Sequence, residues 1–414
     1  MRLNAFAAAA LACLACTGAG ADIGGRDWLT QHRELTVLRG GALALAPYYR
    51  FTELYDTNIY LAPRDQPTGA VNGGVRSSWI TGNDLGLEAS LPWRHVGEVR
   101  AGYDLDALLY GTQPGLNNAI DQAAHLDLTR AAGHSLTFKA GDRYENTSDQ
   151  AFSELTRRAR RWMNRAAFSA DYAPPSGFLT AGVDADHRTD KYLDPGLAAL
   201  LNRYQDDAGF NVGYKVGEWT KAYASYHRQI IHFTVNPAPG VPDKDSKSHS
   251  AAAGLSGALT AKISGRIEGG LMYREYDAAP LSGAPRVVRA PTVSTELTYR
   301  YDENVKAVLG LSRYLEVSVD PANPFYYSNN ASLDVTRRMR RKFTAGLGLA
   351  AGKNQYSSGG RRDDLYQGRV SLDYDLESWL ATGVSYTFRE RASTQSAQFD
   401  YADQLTAWNV ELRY

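Results

Sequence analysis

The sequence predicts an all-β fold, a transmembrane antiparallel up-and-down β-barrel of about 18 strands (16–18), with short periplasmic turns and long extracellular loops. Three observations carry this expectation. Polarity alternates with a period of two in segment after segment. One face of these segments is charged while the other carries Tyr, Leu, Ala and Gly. The connections between them strictly alternate between short and long.

Taken along the chain, Val99, Ala101, Tyr103, Leu105 and Ala107 alternate with Arg100, Gly102, Asp104 and Asp106. Phe168, Ala170 and Tyr172 alternate with Ser169 and Asp171, and Phe210, Val212, Tyr214 and Val216 with Asn211, Gly213 and Lys215. The same pattern marks 266–274, 293–301, 370–376 and 408–414. Such segments begin near Ala46, Ser78, Val96, Gln122, His134, Asn164, Phe178, Tyr204, Thr220, Ser248, Ser264, Val288, Val305, Ala331, Phe343, Asp364, Trp379 and Gln404. Tight connections fall at Ala132-Gly133, 174–177, Gly217-Glu218, 302–304 and Glu377-Ser378. Long polar ones occupy 62–77, 111–121, 148–162, 190–203, 234–247, 277–287, 320–330, 354–363 and 392–403. A soluble sandwich or propeller also alternates in polarity, but it has no reason to alternate loop length, and no blade-length repeat is visible. An even strand count places both termini at the periplasmic end. Aromatics near strand ends (Trp79, Trp93, Tyr110, Tyr144, Trp162, Tyr192, Trp219, Tyr276, Trp379) read as interfacial girdles.

Composition agrees. Of 414 residues, 43% are hydrophobic and 22% charged, with 26 Tyr, 12 Phe and 7 Trp, too many aromatics for a disordered chain. No apolar run after the N-terminus is long enough for a membrane helix. Lys+Arg and Asp+Glu are 45 each, so the basic excess of a nucleic-acid-binding protein is missing and no nucleic-acid partner is expected.

The N-terminus has a basic start, an apolar stretch from Ala5 to Cys16, and Ala19-Gly20-Ala21 before Asp22. This describes a signal peptide over 1–21. Cleavage removes both cysteines, Cys13 and Cys16, so no disulfide or thiol chemistry is expected; acylation at either cysteine is the alternative. Residues 22–41, with Trp28, Leu29, Leu35 and Leu38 at roughly helical spacing, read as a periplasmic segment, a short helix or a plug, with a frayed terminus as the alternative. The barrel would occupy 42–414.

With the polar face inward, the expected lumen-lining residues are Glu98, Arg100, Asp104, Asp106, Lys139, Arg143, Arg165, Asp184, Arg188, Lys215, His227, Arg266, Glu268, Arg274, Glu296, Arg300, Asp334, Arg338, Arg340, Asp373 and Arg389. These line an aqueous channel or pair along its wall. The cations are 35 Arg against 10 Lys. The guanidinium fork suits carboxylates, phosphates and sugar hydroxyls, so such a lumen favours anionic solutes or acidic polysaccharide. Arg157, Arg158, Arg160 and Arg161 form an extracellular basic cluster, fitted to lipopolysaccharide phosphates or an acidic polymer, or simply solvated. Arg337, Arg338, Arg340 and Arg341 fall within an expected strand, which requires either a position low in the barrel or a slipped register. Among the eight histidines, none shows a metal-ligand spacing, and no nucleophile elbow or phosphate loop is present. No catalytic, cofactor-binding or metal residue, and no enzyme activity, is therefore expected.

The first strand reads Tyr49-Arg50-Phe51-Thr52-Glu53-Leu54-Tyr55-Asp56-Thr57-Asn58-Ile59-Tyr60-Leu61, ending in Asp-x-Asn-Ile-Tyr-Leu. With Tyr103-Asp104 and Tyr110, Gly141-Asp142-Arg143-Tyr144-Glu145, and Tyr299-Arg300-Tyr301-Asp302, it resembles the outer-membrane β-barrel porin family associated with exopolysaccharide biosynthesis and export operons. The resemblance spans essentially the whole chain after the signal; the Arg-rich strand at 337–341 departs from it. It implies an outer-membrane protein that passes exopolysaccharide, and it brings no catalytic residues. A diffusion porin and a plugged structural or surface-binding barrel are the alternatives. The implied partners are outer-membrane lipid, lipopolysaccharide, polysaccharide and periplasmic export components. The oligomeric state stays open.

Overall fold

The computed structural model describes residues 38–40, 42–63, 74–93, 96–149, 159–235, 244–278, 283–318, 323–340 and 342–413. Residues 1–21, read above as a signal peptide, most of 22–41, Arg157, Arg158, Arg341 and Tyr414 lie outside them. The strands are β1 (Leu38–Gly40), β2 (Leu43–Asp56), β3 (Ser78–Trp93), β4 (Gly97–Tyr110), β5 (Ala119–Ala132), β6 (Leu136–Thr147), β7 (Arg161–Tyr172), β8 (Leu179–Tyr192), β9 (Arg203–Lys215) and β10 (Thr220–Phe233). They continue as β11 (Ser246–Ala258), β12 (Ile263–Tyr276), β13 (Val287–Arg300), β14 (Val305–Val317), β15 (Phe325–Met339), β16 (Phe343–Tyr356), β17 (Arg362–Glu377), β18 (Leu380–Ser393) and β19 (Tyr401–Arg413). Among the described residues three short helices, α1 (Pro114–Asn117), α2 (Pro195–Leu201) and α3 (Ser396–Phe399), lie in connections at the long-loop end.

Each of the strands β2 to β19 pairs antiparallel with its sequence neighbours, and β19 closes onto β2 with Arg413 opposite Tyr48 and Leu405 opposite Asp56. The eighteen strands form a closed ring, so no row of backbone N–H and C=O groups is left at an edge. The three-residue β1 only folds back on the start of β2. No described helix is long and apolar enough to cross a membrane. The crossing elements are the strands, at 12 to 16 residues in the barrel. That is enough for a tilted span plus an extension beyond the lipid.

The outward face explains the alternation. Leu85, Leu87, Leu126, Val183, Phe210, Val212, Leu271, Leu309, Leu349 and Val370 are all exposed. A continuous apolar belt of this kind is untenable in water and is the expected surface in lipid. Trp93, Trp219 and Trp379 border it at the short-turn end and Trp79 at the other, all exposed. Three residues expected in the girdle are not there: Tyr110, Tyr192 and Tyr276 are 3%, 5% and 0% exposed and point inward. They share parity with Asp106, Arg188 and Arg274, and above the bilayer the inward face packs a core instead of facing water.

Strand starts match the alternation within three residues everywhere except β15, which begins at Phe325 and not at Ala331. Residues 325–330 were expected in a loop. They extend a hairpin whose end leaves the wall.

Candidate functional site

The register puts the sequence-predicted lumen residues on the inward face, with one exception. Glu98, Arg100, Asp104 and Asp106 lie on β4, Lys139 and Arg143 on β6, Arg165 on β7, and Asp184 and Arg188 on β8. Lys215, His227, Arg266, Glu268, Arg274, Glu296, Arg300, Asp334, Arg338, Asp373 and Arg389 continue round the ring. The exception is Arg340. It sits after the end of β15 in a tight turn with φ 50, not in a strand. The Arg-rich segment is low in the barrel: Arg337 faces Val305 and Ala345, and the Arg338 N–H donates to the Asn304 carbonyl (2.8 Å). Lipid-side charge is tolerable at that depth. The extracellular basic cluster is also corrected. Arg161 is not a loop residue; it starts β7, is buried, and donates to the Asp149 carbonyl, while Arg160 stays exposed and donates to the Asn118 carbonyl (3.2 Å).

In the lower lumen, charges meet in pairs. Around a cavity of about 190 Å³ the Arg165 fork grips Asp186 (3.2 Å from both Nε and Nη2), Arg266 bonds Glu268 (2.8 Å), and the Tyr223 hydroxyl donates to Glu268 (2.7 Å). His227 Nδ1 lies 3.1 Å from Asp207 and 3.5 Å from Asp184. These three are the one group of potential metal-ligating side chains among the described residues, with ligand atoms within 4.8 Å of one another, and their mutual ion pairs account for the grouping. The close approach depends on Gly209, where a Cβ would fall on the imidazole. A second cavity of about 500 Å³ lies against β14–β19 and β2. Here Arg50 meets Glu411 (3.2 Å), Arg413 meets Glu411 (2.7 Å), and Thr52, Ser371, Ser385 and Asn409 supply hydroxyl and amide groups. Tyr48 crosses Gly86 and donates to Asp84 (3.4 Å) and Asp104.

The long-loop end is different, because its inward residues are dry. Besides α2, whose Leu197 and Leu201 pack with Ala159 and Tyr192, two segments turn inward there. The first is 57–63, which turns into the barrel at the Asp-x-Asn motif. The Asn58 N–H donates to Asp56 (2.8 Å), its Nδ2 donates to the carbonyls of Ala62 (2.9 Å) and Ala402 (3.2 Å), and its Oδ1 accepts from Ala62 N–H (3.0 Å). Leu61 adopts φ 46 to complete the turn. Ile59 then packs with Leu54, Ile80, Leu108, Tyr110 and Leu405. The second segment is the β14–β15 hairpin end. Pairing of β14 with β13 stops at Arg313 opposite Val293, whereas pairing with β15 continues to Val317 opposite Phe325. Freed from β13, the hairpin end leans inward. Phe325 stacks on Tyr276 of β12 (5.9 Å, 16°), and Leu315 and Phe325 pack with Ala284, Val288 and Ala290. Lys244, ahead of β11, donates through Nζ to the Ser318 carbonyl (2.7 Å) and ties the tip down.

Buried ion pairs complete the mouth. Arg389 grips Asp403 (2.5 and 3.1 Å), and Arg361 grips Asp363 (2.6 and 3.0 Å) while lying between the rings of Phe399 (3.4 Å) and Tyr356 (4.1 Å). Asp190 is held by Arg188 (2.9 Å) and Arg203 (3.1 Å). Sequence reading found Arg188 and Arg389 but missed Arg361, Arg391, Asp363 and Asp403; the loop positions of Arg361 and its neighbours carry no strand periodicity that would single them out.

A closed ring of amphipathic strands, apolar outside and polar inside, defines an outer-membrane β-barrel of the porin type. The chain belongs to the family described as "Putative beta-barrel porin 2", whose model matches residues 200–414. Among solved structures it is similar to the siderophore receptor PirA from Pseudomonas aeruginosa (9% identity, TM-score 0.46, 91% of this chain and 81% of that one). It is similar also to PirA from Acinetobacter baumannii (8%, TM-score 0.42, 92% and 81%) and to a bacterial polysaccharide outer membrane secretin (8%, TM-score 0.38, 89% and 98%). No curated protein matches the sequence.

Proposed function

We propose that this outer-membrane barrel is an exit channel for an exopolysaccharide, shut at rest at its extracellular mouth. The chain would reach the membrane by a cleaved signal over 1–21, with 22–41 in the periplasm. One observation carries the reading: above a lumen walled by hydroxyls and paired charges, loop 57–63 and the β14–β15 hairpin fold inward and bury apolar side chains against the inner wall, as closing elements would. Hydroxyls, amides and Arg–carboxylate pairs exchange hydrogen bonds readily with sugar hydroxyls. A general diffusion porin needs a standing opening, whereas a channel for delivered polymer gains from staying closed until polymer arrives. No catalytic role is assigned to the lumen charges, which bond one another.

The test has two arms. In planar bilayers the native protein should conduct weakly. Lys244→Ala, which unties the hairpin, should raise the open fraction, and oligosaccharide should block the opened current. In cells, deletion should trap polymer in the periplasm. Normal surface polysaccharide in the deletion strain sinks the proposal, and a large native current indifferent to sugars would favour a diffusion porin.

A further inference from the structure

The outer wall carries a ring of polar residues just above the apolar belt, towards the long loops. Most of its charges are matched. His187 Nδ1 lies 2.7 Å from Asp206, Lys353 3.3 Å from Asp364, Lys247 3.3 Å from Asp277, and Arg286 3.2 Å from Glu275. One row is not. Register aligns Arg228 of β10 with His249 of β11, His249 with Tyr273 of β12, and Tyr273 with Arg289 of β13. Directly opposed side chains lie close enough to act on one ligand. Arg228, His249 and Arg289 are exposed, and the Tyr226 hydroxyl holds His249 Nδ1 at 2.6 Å. Neither Arg228 nor Arg289 makes a side-chain hydrogen bond or ion pair with any described residue. The outward-facing acids nearest the row, Asp206, Glu275 and Asp277, are already engaged.

The next outward residues toward the membrane centre are Tyr226 and Ala224, Ala251, Leu271, and Pro291 and Val293. At the edge of the belt a guanidinium is tolerated on the outer wall, and two with no carboxylate partner among the described residues are free to bind an anion there. At this depth, in the outer leaflet, the anions at hand are headgroup phosphates. Guanidinium binds phosphate with two parallel hydrogen bonds, and the adjacent tyrosine and histidine add donors.

We propose that the row Arg228–His249–Tyr273–Arg289 is a binding site for the phosphates of a glycolipid of the outer leaflet, lipopolysaccharide. The site is independent of what the lumen carries. It fixes the rotational setting of the barrel in its leaflet and seats the β10–β13 sector, next to the plugging hairpin, against a specific lipid.

The test uses the full barrel folded in detergent and incubated with lipopolysaccharide, its enzymatically dephosphorylated form, or phosphatidylglycerol. Native protein should retain phosphorylated lipopolysaccharide through washing. The double variant R228Q/R289Q should retain roughly tenfold less, a change of the size expected on losing charge-assisted phosphate contacts. R228K/R289K, which keeps charge but loses the fork, should fall between. Heat-shifted gel mobility verifies folding, and R228Q and R289Q singly serve if the double variant misfolds. Equal retention by native and variant protein overturns the site. So does equal retention of phosphorylated and dephosphorylated lipid. Retention of phosphatidylglycerol equal to that of lipopolysaccharide overturns the choice of glycolipid. A dimer lost in the variant with lipid retention unchanged would make the row a contact between copies and overturn the lipid reading.

Discussion

Asn58 shows how one side chain turns a loop back into the barrel. It is 1% exposed, and both ends of its amide are satisfied by backbone across the turn and on β19. Asn58→Ala leaves the Ala62 N–H and the Ala62 and Ala402 carbonyls short of partners in a dry place, at about 1–3 kcal/mol. The expected result is faster protease cleavage near 57–63 and a lower urea midpoint; an unchanged cleavage pattern would contradict the role given to the motif. The Arg389–Asp403 pair makes a second case at this scale. Its side chains are 8% and 0% exposed. Asp403→Ala strands a buried guanidinium, and the loss should be about 3–5 kcal/mol in urea unfolding, whereas R389M/D403M together should recover most of it. The Asp-x-Asn spacing was legible in the sequence as a motif. Its work was not, because that depends on Ala402, some 340 residues away in the chain.

At the scale of elements, the alternation located strands well because a wall between lipid and water enforces parity on every residue. It failed at β15 because the enforcement stops there. In Phe325-Tyr326-Tyr327-Ser328-Asn329-Asn330 apolar and polar residues come in blocks, since this end leaves the wall and packs on both sides. Tyr110, Tyr192 and Tyr276 were misplaced for a related reason. Their parity already pointed inward, but an aromatic near a strand end reads as an interfacial anchor unless the strand is known to rise above the bilayer. Which residues line the lumen was therefore readable, and where its inward face becomes a packed core was not. The hairpin's packing is testable by itself. Phe325→Ala removes the ring stacked on Tyr276 and opens a cavity, a change worth about 3–5 kcal/mol in a rigid core. The hairpin can relax instead of holding that cavity, so the expected signature is local: earlier protease cleavage at the tip and noisier current, with little shift in the global unfolding midpoint. A large global shift with a quiet tip would place Phe325 in the wall and not in a movable plug.

The whole molecule is held by two solvents, and the position of each outward residue along the barrel axis sets what a charge costs there. Leu309 of β14 lies between Leu297 and Leu333, in the middle of the apolar belt. Arg337 is also outward-facing, but it sits at the short-turn end opposite Val305 and Ala345. Leu309→Arg should therefore destabilise the folded barrel by about 2–4 kcal/mol, and Arg337→Leu should change it by about 0–1 kcal/mol. Folding from urea into lipid vesicles measures both on one scale. The pair matters because it tests depth, which neither parity nor composition contains. The Arg cluster at 337–340 is compatible with a membrane wall only if that edge of the belt lies just above it. Comparable costs at the two positions would mean that the membrane extends below β15's last turn, and the belt drawn from Trp93, Trp219 and Trp379 would have to be moved with it.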